Sequence, residues 1–144
     1  MSRSGYNDDC DERELAMWRG AVTSALRGKR GQQFLRELAT TMDAMEEKAL
    51  IAESFHDTED GGFCTLGTVG AARKVDMKDF IDLAREEVGE VFGIAPAMAA
   101  EIMYENDEGG PWGSPETPEA RWQRMRNWVQ SQITPTPQEP PCKP

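Results

Sequence analysis

Between Asp76 and Glu108 the apolar residues recur at helical spacing, stop at Gly93 and resume after Pro96, and this punctuation limits the fold more than any other stretch. Phe80, Leu83, Ala84, Val88, Val91 and Phe92 fall on one face, which predicts a helix capped by Asp76 and ended by Gly93. Proline is at home in a first helical turn, so Pro96 opens a second amphipathic helix over Ala97 to Tyr104. A helix pair with so short a link has the outline of a helix-turn-helix. Its chemistry is different. A DNA-reading second helix needs Arg, Lys, Asn or Gln near its start to reach base edges and phosphates. This one begins Ala95-Pro96-Ala97-Met98 and continues through Glu101, Glu105, Asp107 and Glu108.

A chain of 144 residues can bury one core without disulfides or metal. The expectation is a single compact domain over residues 1–133, loose up to about Asp11, and a Pro-rich disordered tail over 134–144 that holds Pro135, Pro137, Pro140, Pro141 and Pro144. No apolar run approaches the ~18 residues of a membrane span. The opening Met1-Ser2-Arg3-Ser4-Gly5-Tyr6 lacks the apolar centre of a signal peptide, which points to the cytoplasm. Cys10, Cys64 and Cys142 are odd in number and far apart, as reduced thiols are and disulfide frames or zinc sites are not. The net charge of −10 disfavours non-specific attraction to nucleic acid or anionic lipid. It is unevenly placed: Asp76 to Glu108 holds ten acids against Lys78 and Arg85, whereas Arg13 to Arg36 holds six bases.

Taken in order, the chain begins its first helix near Glu12, behind the favourably placed carboxylates of Asp9 and Asp11, and buries Leu15, Trp18, Val22, Ala25 and Leu26 up to Arg27 or Gly28. Gly31 to Met45 puts Phe34, Leu35, Leu38, Met42 and Met45 on one face, so the pair forms an antiparallel hairpin across the basic turn 27–31. Two short apolar runs, Ala49 to Phe55 and Phe63 to Leu66, flank a polar loop and predict a short β-hairpin. Gly67 to Arg73 then turns into a short helix. After a Gly/Pro loop, Thr117 as N-cap and Pro118 at the first position announce a C-terminal helix carrying Trp122, Met125, Val129 and Ile133, with Trp128 at its edge. The fold class is α+β, mostly α: a helix hairpin, a short β-hairpin, an acidic helix-turn-helix-like pair and a C-terminal helix.

Arg27, Lys29 and Arg30 on a glycine-bearing turn suit phosphate, but cations and glycine at a helix end are also ordinary C-capping. The acids of 76–108 either mimic nucleic-acid charge for a basic protein groove or form a solvated face. His56 is the lone histidine, so a Cys–His pair would need Cys64 across the hairpin, with no oxyanion loop in sight. Asp57-Thr58-Glu59-Asp60-Gly61 opens like a calcium loop, yet its twelfth position is Thr68 rather than Glu, so it reads as a turn. Glu86, Glu87, Glu90, Glu101 and Glu105 lack the Glu-x-x-His companions of a carboxylate metal site, and no Walker or dinucleotide fingerprint follows the glycines. The reading is therefore of no catalytic residues, no metal and no cofactor. Trp112, in a Gly/Pro loop beside the acidic end, is the tryptophan placed to touch a partner.

Several of these stretches, in this order, resemble small acidic proteins encoded by tailed bacteriophages and prophages: Trp18 to Val22, Arg27 to Gln32 with Phe34 to Leu38, Cys64 to Gly70, Phe92 to Ala95, Glu101-Ile102, Asn106 to Glu108 and Glu116 to Glu119. The likeness covers most of residues 14–133 and brings no activity with it. It implies a viral protein made in a bacterial host cytoplasm with an accessory role, either inhibiting a host or defence protein or adjusting phage gene expression. The expected function is a non-enzymatic protein that binds a host or defence protein with a basic surface through Glu101, Glu105, Asp107, Glu108 and Trp112, without a membrane. The alternative is a helix-turn-helix-like nucleic-acid-binding regulator that uses Arg27, Lys29 and Arg30, helped by Arg121, Arg124 and Arg126.

Overall fold

Asp11 accepts a hydrogen bond from the Glu14 amide at 2.8 Å and so starts helix α1, Glu12–Arg27. The computed structural model describes residues 3–7 and 9–135, which contain six helices. Val22 and Leu26 of α1 are buried, but Leu15 stands half-exposed. Helix α2, Lys29–Asp43, follows directly, with Gly28 ending one helix and capping the next. The expected five-residue turn is thus a corner. At Gly31 a β-carbon would lie 1.9 Å from the Ala25 carbonyl oxygen, so only glycine lets the first turn of α2 press on the end of α1. Phe34, Leu35, Leu38 and Met42 are buried as their spacing predicts.

The chain from Lys48 to Cys64 is not the expected β-hairpin. Among the described residues its only ladder is a single antiparallel bridge between His56 and Phe63. The loop is closed by backbone bonds from Ile51 to Phe63 and from Cys64 to Phe55, while Asp57 accepts from the Glu59 and Asp60 amides in a tight turn. With the two apolar runs packed into a helical core, no further strand pairing is needed to cover them. The architecture is mostly α. Helix α3, Thr65–Ala72, begins at Cys64 and is buried over most of its length.

The acidic helix pair is shorter at its front than the spacing suggested. Helix α4 runs only Arg85–Phe92, and 75–84 has no helix. Asp76 does not cap α4; it accepts from the Lys78 amide two residues on, the local bond by which aspartate competes with helix. Lys74 and Asp82 hold positive φ, which a helix cannot contain. Gly93, at φ 75°, ends α4 in the left-handed conformation that glycine adopts without strain. Helix α5, Pro96–Glu108, extends past Tyr104 and is the centre of the molecule, touching α1, α3, α4 and α6. Met98, Ile102 and Met103 are at most 1 % exposed, each burial contributing roughly 1.5–3 kcal/mol. Helix α6, Pro118–Gln132, starts on Thr117 as expected and buries Trp122, Met125 and Val129 against α2 and α5.

Arg3 to Tyr6 does not stand loose. Tyr6 packs against Trp18 and Tyr104, and its hydroxyl donates to Glu101 at 2.8 Å. At the other end, Gln32 Oε1 accepts from the Thr134 amide, while the rest of the expected Pro-rich tail and Cys142 lie outside the described residues. No helix among the described residues is long and apolar enough to cross a membrane.

Candidate partner-binding groove

Helix α5 decides which acids face solvent. Glu101, 3 % exposed, accepts a two-pronged bond from Arg19 at 2.9 and 2.8 Å and a third from Tyr6. Asp107, whose side chain is 6 % exposed, is bound the same way by Arg3. Glu105 is half-buried, and burial together with the charge of Glu101 pushes its carboxyl above the ordinary range, against the pull of Arg124. Of the four α5 carboxylates expected to meet a partner, only Glu108 is exposed. They do not form one solvated face. The helix that would read DNA in a helix-turn-helix is enclosed on most sides, with Ala97 to Met103 buried, and cannot enter a groove.

The basic side of the alternative is divided in the same manner. Arg27, Lys29 and Arg30 are exposed at the α1–α2 corner and take part in no ion pair among the described residues. The arginines of α6 face inward. Arg124 donates to Glu116 at 2.7 and 2.9 Å and to the Glu105 and Asn106 carbonyls, so it caps the end of α5. Arg121 bonds the Asn106 and Leu50 carbonyls, and Arg126 grips Asp43. The Arg124 hydrogen bonds hold the Glu116 carboxyl below its usual value. Cys64 is fully buried and serves as the N-cap of α3, accepting from the Gly67 amide; His56 stacks on Phe63 instead of meeting it. Among the described residues no cluster of three His, Cys, Asp or Glu side chains is placed to hold a metal ion.

A groove of about 730 Å³ opens where the N-terminal segment, residues 53–55, residues 80–86 and the end of α5 meet. Its rim carries the exposed carboxylates Glu53, Asp82, Glu86 and Glu108, and beside them Ile81 is 75 % exposed. Among the described residues only Glu86 of these has an ion pair, with Arg85 at 3.7 Å, and Arg85 itself lies 4.4 Å over the Trp18 ring. Arg3, the other cation of the lining, is bound to Asp107. On the rim, Glu53, Asp82 and Glu108 are therefore left without an ion pair among the described residues, beside the apolar Phe80, Ile81 and Leu83 of the lining.

Two of the rim acids sit on strained backbone. Glu53 has φ 68° and Asp82 φ 60°, and outside glycine such left-handed residues cost on the order of 1–2 kcal/mol. Glu53 is held there by its amide, which donates to Asp107 Oδ1 at 2.9 Å. Helical spacing across 76–92 hid Asp82 and Ile81, and no sequence signal marks Glu53 or Arg3. Trp112, fully exposed on the loop beyond α5, lies outside the groove lining. No family model, curated protein or solved structure matches this chain.

Proposed function

We propose that this protein is a non-enzymatic binding protein whose acidic groove takes a basic segment of another protein, in keeping with an accessory protein of phage origin that modulates a host or defence protein. The observation that carries this reading is the rim: Glu53, Asp82 and Glu108, exposed and without ion pairs among the described residues, beside the exposed Ile81. Unpaired like charges around a concave apolar patch repel one another in the free protein and are relieved by a cationic partner, which speeds association and selects for positive charge. The strain at Glu53 and Asp82 fits the same purpose, since a fold keeps costly backbone where the side chain it presents is used. Of the acids read from the sequence Glu108 stays in the contact, joined by Glu53 and Asp82, while Glu101 and Asp107 are taken up by Arg19 and Arg3. Trp112 remains a candidate anchor on the neighbouring loop.

The test is affinity capture from nuclease-treated bacterial lysate with the wild-type protein and with the triple variant Glu53→Lys, Asp82→Lys and Glu108→Lys. A stoichiometric partner retained by the wild type and lost by the folded variant is the expected result. Retention of that partner by the variant overturns the groove reading. Partners that depend on nucleic acid and on Arg27, Lys29 and Arg30 transfer the function to the basic corner.

A further inference from the structure

The base of the groove already holds an arginine, and it comes from the chain itself. Arg3 lays its guanidinium side-on against Asp107, Nε donating to Oδ2 at 2.6 Å and Nη2 to Oδ1 at 2.8 Å. Its Cζ lies 5.0 Å from the centre of the Phe55 ring, and Nη1 is 3.5 Å from Cys64 Sγ. A carboxylate matched to both prongs and an aromatic face above the plane are what distinguish a guanidinium from an ammonium. Burial works against the charge, but Cys64 and Asp107 outweigh it and raise the Arg3 pKa above its usual value.

The socket owes its shape to groups other than Arg3. Asp107 Oδ1 also accepts from the Glu53 amide at 2.9 Å and from Asn106 Nδ2 at 2.8 Å. Asn106 is itself locked, accepting from the amide and hydroxyl of Thr65 and donating to the Ile51 carbonyl. Phe55 is fixed edge-on by Phe80 and stacked on Phe92. Arg3, by contrast, belongs to a segment ahead of α1 with no regular secondary structure. Asp107 is part of α5 and Phe55 is held between Phe80 and Phe92, while the occupant is carried on the segment ahead of α1.

We propose that the Asp107–Phe55 socket is an arginine-recognition site, filled in cis by Arg3, and that a basic partner segment docks by exchanging an arginine of its own into it. This rests on the groove reading above and names its specificity: arginine rather than lysine at one position of the partner. An occupant in cis lowers the apparent affinity for a competitor by the fraction of time the socket is filled, so removing it tightens binding.

The test uses the full chain, Arg3→Ala, and two labelled peptides, one with a single arginine among lysines and alanines and one with lysine in its place. Arg3→Ala is expected to bind the arginine peptide about tenfold more tightly than the wild type does, and the lysine peptide no more tightly. Equal gain for both peptides overturns the socket, as does a gain for neither when free arginine amide also fails to stabilise Arg3→Ala. Where Arg3→Ala fails to fold, Arg3→Lys keeps the cation without the fork and carries the same comparison. A second readout separates this inference from the groove reading: Nα-acetyl-arginine amide should raise the melting temperature of Arg3→Ala more than Nα-acetyl-lysine amide does, and leave the wild type unchanged. That stabilisation with neither peptide bound would uphold the socket and overturn the groove reading; peptide binding without it would do the reverse.

Discussion

Two sets of carboxylates lie on and beside helix α5 and behave as different materials. Those of α5, Glu101 and Asp107, are buried, each gripped by an arginine from an earlier part of the sequence. Those of the loops beside it, Glu53 and Asp82, are exposed, without ion pairs among the described residues, and held on left-handed backbone. The first set holds the fold together, because a buried carboxylate must be satisfied and its partners are thereby fixed in place. The second set adds backbone strain and has no ion pair among the described residues to offset it. A count of charges along the sequence treats the two alike; exposure and pairing separate them.

The contrast is broken most directly at Glu101 and Glu108, one helix and two environments. Glu101→Ala removes three charge-assisted hydrogen bonds and should cost about 2–3 kcal/mol in urea unfolding, whereas Glu108→Ala should stay within about 0.5 kcal/mol. Equal costs at the two positions would erase the distinction. Partner binding should follow the reverse order once each variant is compared as folded protein.

The dependence of stability on pH sharpens the comparison around Arg124. Glu116 is held below its ordinary value, so the native state binds fewer protons there than the unfolded chain; its contribution is present above the ordinary carboxylate range and lost as pH falls through the depressed value. Glu105 is raised above its ordinary value of 4.5, so the native state binds more protons, and stability declines as pH rises through that window. Denaturant unfolding across pH should therefore show Glu105→Gln flattening the decline above 4.5 and Glu116→Gln flattening the loss at lower pH. A Glu105→Gln profile parallel to the wild type would show the carboxyl to be freely solvated.

The smallest effect is expected at the rim. Glu53→Gly keeps the amide that donates to Asp107 but removes the left-handed strain, for a gain of about 0.5–1 kcal/mol after the added freedom of the unfolded chain is counted. A loss of stability instead would mean that the Glu53 side chain supports the fold, and the rim would then join the first set.

Much of the helical framework was legible because its signals are local. Thr117-Pro118 starts α6, Gly93 ends α4, Pro96 opens α5, and Phe34 to Met42 line one face of α2, each set by capping or periodicity within a few residues. The spacing misled where local chemistry competed with it. Asp76, Asp79 and Asp82 favour turns over helix, and the apolar residues among them pack one by one against other elements, as Met77 does against Gly70. The β-hairpin was inferred from two apolar runs whose burial is supplied by helices instead.

The candidate site was mostly illegible, and the reason is distance along the chain. Arg3 and Asp107 are separated by 104 positions and Arg19 and Glu101 by 82, so nothing near Asp107 or Glu101 in the sequence says that its charge is already answered. The amino-acid order by itself determined the start of α6 at Thr117-Pro118, the break between α4 and α5 at Gly93 and Pro96, and the excess of negative charge. Only the tertiary structure decided which of those charges are neutralised within the molecule and which are left around a groove, because pairing and desolvation depend on neighbours brought together by folding.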